Sequence, residues 1–416
     1  MTFLKSWLPW LVAAICVLYM ASLPFRHTKS EAKEDLDALG RLPVLAEGRV
    51  KPLDSFARVT LMALSAKQSL TVEVPVTEGD KDPEAKTRER KIPAIEWYLE
   101  MLAKPEVADD RPVFRIDHPD LVSTIGFPGS KRTRFSLNEI RKERAKIEEQ
   151  ANLADNTPKR ERDHYQRQVL ELFQKLMLFQ EVRLGRAPFT IAPMAPGEEW
   201  KPLAALLDDK SLGTRESTQA IVDLLFASST GDTEKFNTTL TNYSKRLNEV
   251  LPSETHAARA EEIFNLAEPF SHTAALYVFA FLLACFGFLS RTGGAPEWTK
   301  ALTRSSLLVI LLAFAVHTLG IAARVYLQGR PPVTNLYSSA VFIGWACIPL
   351  ALAAEWFIRL GLGNVAASLI GFSTLIVAHR RSCGCCVSVT PTCEPSSCGR
   401  EGTATASRTR SRPNKR

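Results

Sequence analysis

Between residues 27 and 270 the chain has no cysteine. That excludes a disulfide framework there and leaves the region to fold on its own hydrophobic core. Its histidines His118, His164 and His256 show no metal-ligand spacing with one another or with any cysteine. A nucleophile triad, a glycine-rich phosphate loop, a paired-carboxylate pattern and an internal repeat are all missing, so the residues assign no catalytic and no metal-binding position. Positive charge is also scarce in the body of the chain. From His379 onward eight Lys or Arg face two Glu, which carries +6 of the net +7. The nearly neutral remainder excludes a basic nucleic-acid-binding surface on the main body.

Long apolar runs, by contrast, are plentiful at the two ends of this body. Residues 7–25, WLPWLVAAICVLYMASLPF, approach the roughly 20 residues a helix needs to cross a bilayer. The length and aromatic content of this run read as a retained anchor. A cleaved signal peptide is the alternative, and its cleavage signal near residues 20–22 is poor. Further spans are expected at residues 273–289, 307–324, 336–354 and 365–378, as helices, because lipid leaves no other way to pair the backbone.

The polar body between them reads as mostly helical with a few short strands. Asp54 and Ser55 are expected to cap a helix running to residue 67, TVEVPV at 71–76 alternates like a strand, and residues 94–103 form a helix. Pro105, Pro112, Pro119 and Pro128 punctuate a loop-rich stretch with a β-like run at 113–116. Ser136 and Glu139 make a capping box for a solvated helix over 137–150. After a polar turn at 156–159, Val169, Leu172, Phe173, Leu176 and Phe179 recur at helical spacing, which predicts a helical hairpin with one buried stripe. Amphipathic helices follow at 218–227, 235–250 and 256–266.

The fold class expected is therefore a mostly α, multi-span helical membrane bundle with a large, mainly helical exported domain. Four segments are expected: 1–26 as anchor, 27–270 as extracytoplasmic domain, 271–378 as a four-helix membrane region and 379–416 as a basic, Cys-rich tail. The positive-inside rule sets the orientation. An internal N-terminus puts Lys5, Arg291, Lys300, Arg304 and Arg359 in the cytoplasm, against Arg324 and Arg330 outside.

One segment carries more than topology. Residues 316–345, VHTLGIAARVYLQGRPPVTNLYSSAVFIGW, resemble the CcsA-type cytochrome c assembly family, in which a G-x-x-P-x-x-N-x-Y segment lies between two early membrane helices. The matching positions are Gly329, Pro332, Asn335 and Tyr337, with Trp345 in the next span. A second match is residues 40–68, which look like the start of the exported region of fused assembly proteins. With residues 113–127, the likeness reaches most of the chain up to 378, loosely between 142 and 270.

This resemblance implies a bacterial cytoplasmic-membrane protein that moves haem across the membrane and presents it at the outer face for attachment to apocytochrome c. Its partners would be apocytochrome c, other maturation subunits and the lipid bilayer, with no nucleic acid. The family's defining tryptophan-rich outer segment is not in this sequence, where seven scattered tryptophans never cluster. A haem-attachment activity, which that segment is expected to carry, is thus left open. At residue 378 apolar sequence gives way abruptly to a tail holding Cys383, Cys385, Cys386, Cys393 and Cys398. That switch is expected to mark a frameshift or a wrong gene end, with impaired activity. The tail's C-x-C-C order matches no zinc motif.

Within the spans, His317 is the candidate haem ligand, and Arg324 on the same helical face is the candidate partner of a propionate, with Gly320 giving room for the ring plane. The bland alternative for His317 is a hydrogen bond to a neighbouring helix. His272, at the membrane boundary, is expected to serve packing. Pro332, Asn335 and Tyr337 are expected to shape the outer loop, Asn335 through bonds to free amides at the next helix start. The alternative to a haem-handling role is a membrane-anchored scaffold or binding protein with no haem chemistry.

Overall fold

The structure is a computed structural model that describes residues 2–23, 33–75, 87–294, 296–329, 331, 333, 336–358 and 361–382. It contains two hydrophobic cores, one built from residues between 36 and 247 and the other from residues 16 and 276–378.

The first core begins with α2 (Leu36–Gly40) and the antiparallel pair β1 (Pro43–Ala46) and β2 (Arg49–Pro52). The two-residue turn has positive φ at both positions, 54° at Glu47 and 76° at Gly48, the geometry that matches the twist of a tight hairpin. α3 (Leu53–Ser65) follows directly. Its N-cap is Pro52, with no side-chain cap, and the Asp54 carboxylate accepts from Arg58 Nε at 2.6 Å. The expected cap by Asp54 and Ser55 is therefore corrected: Ser55 is buried and accepts from Asn265 Nδ2 at 2.7 Å.

The alternating run becomes β3 (Ser69–Pro75), paired with β4 (Thr87–Pro93), a strand that no apolar alternation announced because its sequence is TRERKIP. The helix read at 94–103 is α4 (Ala94–Ala103). The stretch expected to be loop-rich is corrected in part. Pro105 and Pro119 open the short helices α5 (Pro105–Asp110) and α6 (Pro119–Thr124), at the one helical position where a missing amide proton costs nothing. Between and after them β5 (Phe114–Arg115) pairs with β6 (Arg134–Phe135).

The capping box of Ser136 and Glu139 is present, but the helix it opens is two helices, α7 (Leu137–Arg141) and α8 (Arg144–Asn156). α9 (His164–Arg183) returns along α8 and buries Val169, Leu172 and Phe179 on the expected stripe. α10 (Glu216–Thr230), α11 (Thr233–Val250) and α12 (Pro252–Ala267) complete this part. Its centre is aromatic: Trp97, Phe114, Phe135, Phe179 and Phe236 are fully buried. Each such side chain contributes about 1.5–3 kcal/mol by leaving water.

α12 is tied to this core by ion pairs, Arg49 with Glu261 and Arg41 Nε with Glu262 Oε1 at 2.8 Å. It then turns through Glu268, a non-glycine residue in the left-handed region (φ 36°), into α13 (Pro269–Thr292). α14 (Pro296–Gln328), α15 (Leu336–Ile358), α16 (Leu362–Ser382) and the N-terminal α1 (Thr2–Ser22) form the second core.

Among the described residues three helical stretches are long and apolar enough to cross a bilayer, Pro252–Arg291, Glu297–Gln328 and Tyr337–Phe357; Trp7–Ser22 and Leu362–Ala378 are shorter apolar helices. Small residues let these helices close up. A Cβ on Gly371 would sit 2.9 Å from the Tyr277 ring. Polar bonds then join the helices, Ser306 Oγ to the Ala280 carbonyl at 2.8 Å and Asn364 Nδ2 to the Thr303 carbonyl at 3.1 Å. Close backbone approach plus interhelical hydrogen bonds is how helices associate where apolar surface gains nothing from leaving lipid. At the α15–α16 turn, Glu355 accepts the amides of Gly361 (2.6 Å) and Gly363 (2.7 Å), satisfying donors that a helix start leaves unpaired.

Candidate functional site

The site expected at His317 lies where α14 meets α13 and α15. His317 is fully buried. The Phe270 ring meets it edge-on at 5.9 Å and the Tyr277 ring at 6.2 Å. Tyr277 Oη is 3.5 Å from Nδ1, at the limit of a hydrogen bond. The Val341 main chain of α15 is near enough to interact, yet Nε2 has no partner in hydrogen-bond geometry among the described residues. A buried ring nitrogen without a hydrogen-bond partner is costly.

At the next residue of α14, Thr318 Oγ1 accepts from Trp345 Nε1 at 2.9 Å, and Phe314, one turn before it, stacks on the Trp345 ring at 5.8 Å. Trp345 therefore locks α15 onto α14. Near the end of α14, the Arg324 guanidinium lies 4.2 Å over the Tyr337 ring and its Nε donates to Gln328 Oε1 at 3.2 Å. This cation–π contact partners a half-buried arginine that pairs with no carboxylate among the described residues. Gly329 closes the helix with φ of +59°, its amide donating to the Val325 carbonyl, the left-handed stop that glycine makes easily. Pro332 and Asn335 lie outside the described residues. Of the expected residues, then, Arg324 and Tyr337 are in contact, Trp345 braces the same helix pair, and His317 stands apart in an aromatic cage.

Whether these residues fit a haem is decided by space. A Cβ on Gly320 would lie 3.2 Å from the Phe270 ring, so the face expected to admit the ring plane is covered. The nearby cavity, lined by Phe270, Ile321, Arg324, Val341 and Phe342 among others, measures about 20 Å³, against roughly 300–1,000 Å³ for pockets that bury small molecules. A porphyrin does not fit against His317 in this packing. Among the described residues no group of three His, Cys, Asp or Glu is placed to hold a metal ion.

Other pairings escape a reading of spacing. His118 and His164, far apart in sequence, have ring centroids 5.1 Å apart. Asp109, buried within α5, accepts from both Arg141 and Arg183 at 3.0 Å. His272 Nδ1 and the Tyr19 hydroxyl are hydrogen-bonded at 2.9 Å, joining α1 to α13.

Three bilayer-length apolar helices joined to a larger helical region with a few short strands define a multi-span membrane protein with a large extramembrane part. The chain is similar to Protein NrfI of Wolinella succinogenes, at 27% identity over 366 residues, which cover 85% of this chain and 37% of that protein. The chain thus spans well under half the length of the curated relative it matches, and the relationship is a distant one. No protein-family model matches the chain, so the narrower CcsA-type likeness rests on the residues of the 316–345 segment.

Proposed function

We propose that this chain is a component of cytochrome c maturation in a bacterial cytoplasmic membrane. In this reading residues 27–270 lie on the periplasmic side, where they meet apocytochrome c and other maturation subunits, and haem is the cargo handled nearby. The observation that carries the reading is the segment from His317 to Trp345, whose likeness to the CcsA-type family coincides with the most specific polar and aromatic contacts of the bundle: Arg324 on Tyr337, and Trp345 on Thr318. The similarity to Protein NrfI supports a relationship along most of the chain. Orientation is supported by Arg291, Lys300 and Arg304 at the α13–α14 connection, the short-loop excess of positive charge expected inside.

His317 and Arg324 are proposed as the residues through which the bundle contacts haem. Such a contact requires Phe270 to leave the face of Gly320, and Phe270 follows closely on the Glu268 bend. The packing around His317 favours a second reading, a membrane-anchored scaffold without haem chemistry. Deleting the gene and staining c-type cytochromes for covalent haem tests the shared proposal: loss of mature cytochrome, restored by the intact gene, is expected, and unchanged cytochrome would overturn it. A pyridine haemochrome assay on the purified chain and on His317→Ala then separates the readings. Haem present in the first and lost in the second supports contact at His317; haem in neither supports the scaffold.

A further inference from the structure

One hollow in the extramembrane part has a built polarity. It is a cavity of about 290 Å³ between α7–α8 and α9, close to the lower end of the roughly 300–1,000 Å³ range of ligand pockets. One wall presents Leu137 and Arg141 from α7 and Arg144 and Ile147 from α8. The α9 wall presents Phe173, Met177 and Arg183. Arg183 at the end of α9 is about 15 Å along the helix from Phe173, and across the cavity it lies beside Arg141. The Asp109 contacts show this directly, since one carboxylate oxygen accepts from both Arg141 and Arg183. One end of the cavity is thus cationic and the other apolar.

The cationic end is organised but not saturated. Asp109 spends a single oxygen on both arginines, and Arg183 Nε is buried without a hydrogen-bond partner among the described residues. Arg144 has only a loose contact with Glu148, at 3.9 Å and largely exposed. Against three guanidinium groups stand Glu148 in the lining and the shared Asp109, which leaves one more positive than negative group here. Guanidinium groups bind carboxylates bidentately, and pre-positioned ones lose little freedom on doing so.

We propose that this cavity is a binding site for a single-chain amphiphile with a carboxylate head, such as a medium-chain fatty acid. The head lies against Arg141, Arg183 and Arg144, and the tail against Phe173, Met177 and Ile147. This site is independent of the cytochrome reading above, and neither stands or falls with the other.

The test is calorimetric titration of the full chain in lipid nanodiscs with decanoate, with empty nanodiscs as the blank. Saturable binding is expected, with decanol, which keeps the tail and loses the charge, weaker by about tenfold or more, the order set by a lost charge-assisted hydrogen bond. Arg144→Gln, outside the Asp109 pairing, should weaken decanoate and leave decanol unchanged. Met177→Trp, at a residue that is 42% exposed and bears no polar contact, should fill the tail end and abolish saturable binding of both. Heats equal to empty nanodiscs, equal affinity for decanol and decanoate, or undiminished binding by Met177→Trp would each overturn the proposal. So would saturable uptake of an acidic apolar peptide with none of decanoate.

Discussion

The two cores of this molecule are built from different amino acids. The extramembrane core is held by bulk: Trp97, Phe114, Phe135, Phe179 and Phe236, all fully buried. The helix bundle is held by thinness. Ala280, Ala313 and Ala367, with Ser305, Ser306 and Ser368, are among its buried small residues, and Gly371 lies flat on Tyr277. In water, large apolar groups are drawn together because burying their area is favourable. In lipid that drive is absent, so close contact and a few polar bonds replace it. The difference teaches that the same chain has to be read with two rules, and that a large buried side chain matters most on one side and a missing one on the other.

The comparison breaks most readily at the extramembrane centre. Trp97→Ala should cost about 3–5 kcal/mol, since the cavity left by an interior aromatic relaxes only in part, and denaturant unfolding followed by Phe and Trp environment should show it. In the bundle the opposite substitution is the damaging one. Gly371→Leu should destabilise by about 1–3 kcal/mol or more through overpacking against Tyr277, read as lost protease protection of α13 and α16 in nanodiscs; a stability equal to the parent would show that this contact is not close. Ser306→Ala removes the bond to the Ala280 carbonyl and should cost about 0.6 kcal/mol, typical of such bonds in membranes.

The smallest effect sharpens the electrostatic side. Burial opposes charge on Glu139, but hydrogen bonds from Arg132 and the Ser136 amide outweigh it and hold the carboxyl below its ordinary value of 4.5. A group depressed on folding contributes stability above its unfolded value and loses it as pH falls through the folded one. Glu139→Gln should therefore lower the melting temperature slightly at neutral pH and not at all in strong acid. A difference that persists undiminished in acid would remove the carboxylate from that account.

The pattern of hydrophobic period made most of the helices legible, from the stripe of Val169, Leu172 and Phe179 to the apolar runs around Ala280 and Val341. Capping chemistry placed the start of α7 at Ser136. What escaped was long-range. β4 is charged along its length and becomes a strand because β3 supplies its hydrogen bonds, which no local propensity encodes. The break between α7 and α8 carries neither proline nor glycine. At the candidate site Tyr337 could be named from the motif and Arg324 from the helical face it shares with His317, but not that the ring would cover the arginine's charge. Gly320 was legible as a gap, yet a gap in one helix is also a socket, and Phe270 from the next helix fills it.

The joint at Glu268 turns these two materials into a linkage. α12 is clamped to the extramembrane core by Arg49–Glu261, Arg41–Glu262 and Asn265–Ser55, and α13 leaves it through a backbone conformation that a non-glycine residue adopts only under constraint. The α12–α13 joint therefore sets where Phe270 stands, and any movement of α12 with the outer core would bear first on the ring that closes over Gly320 and abuts His317.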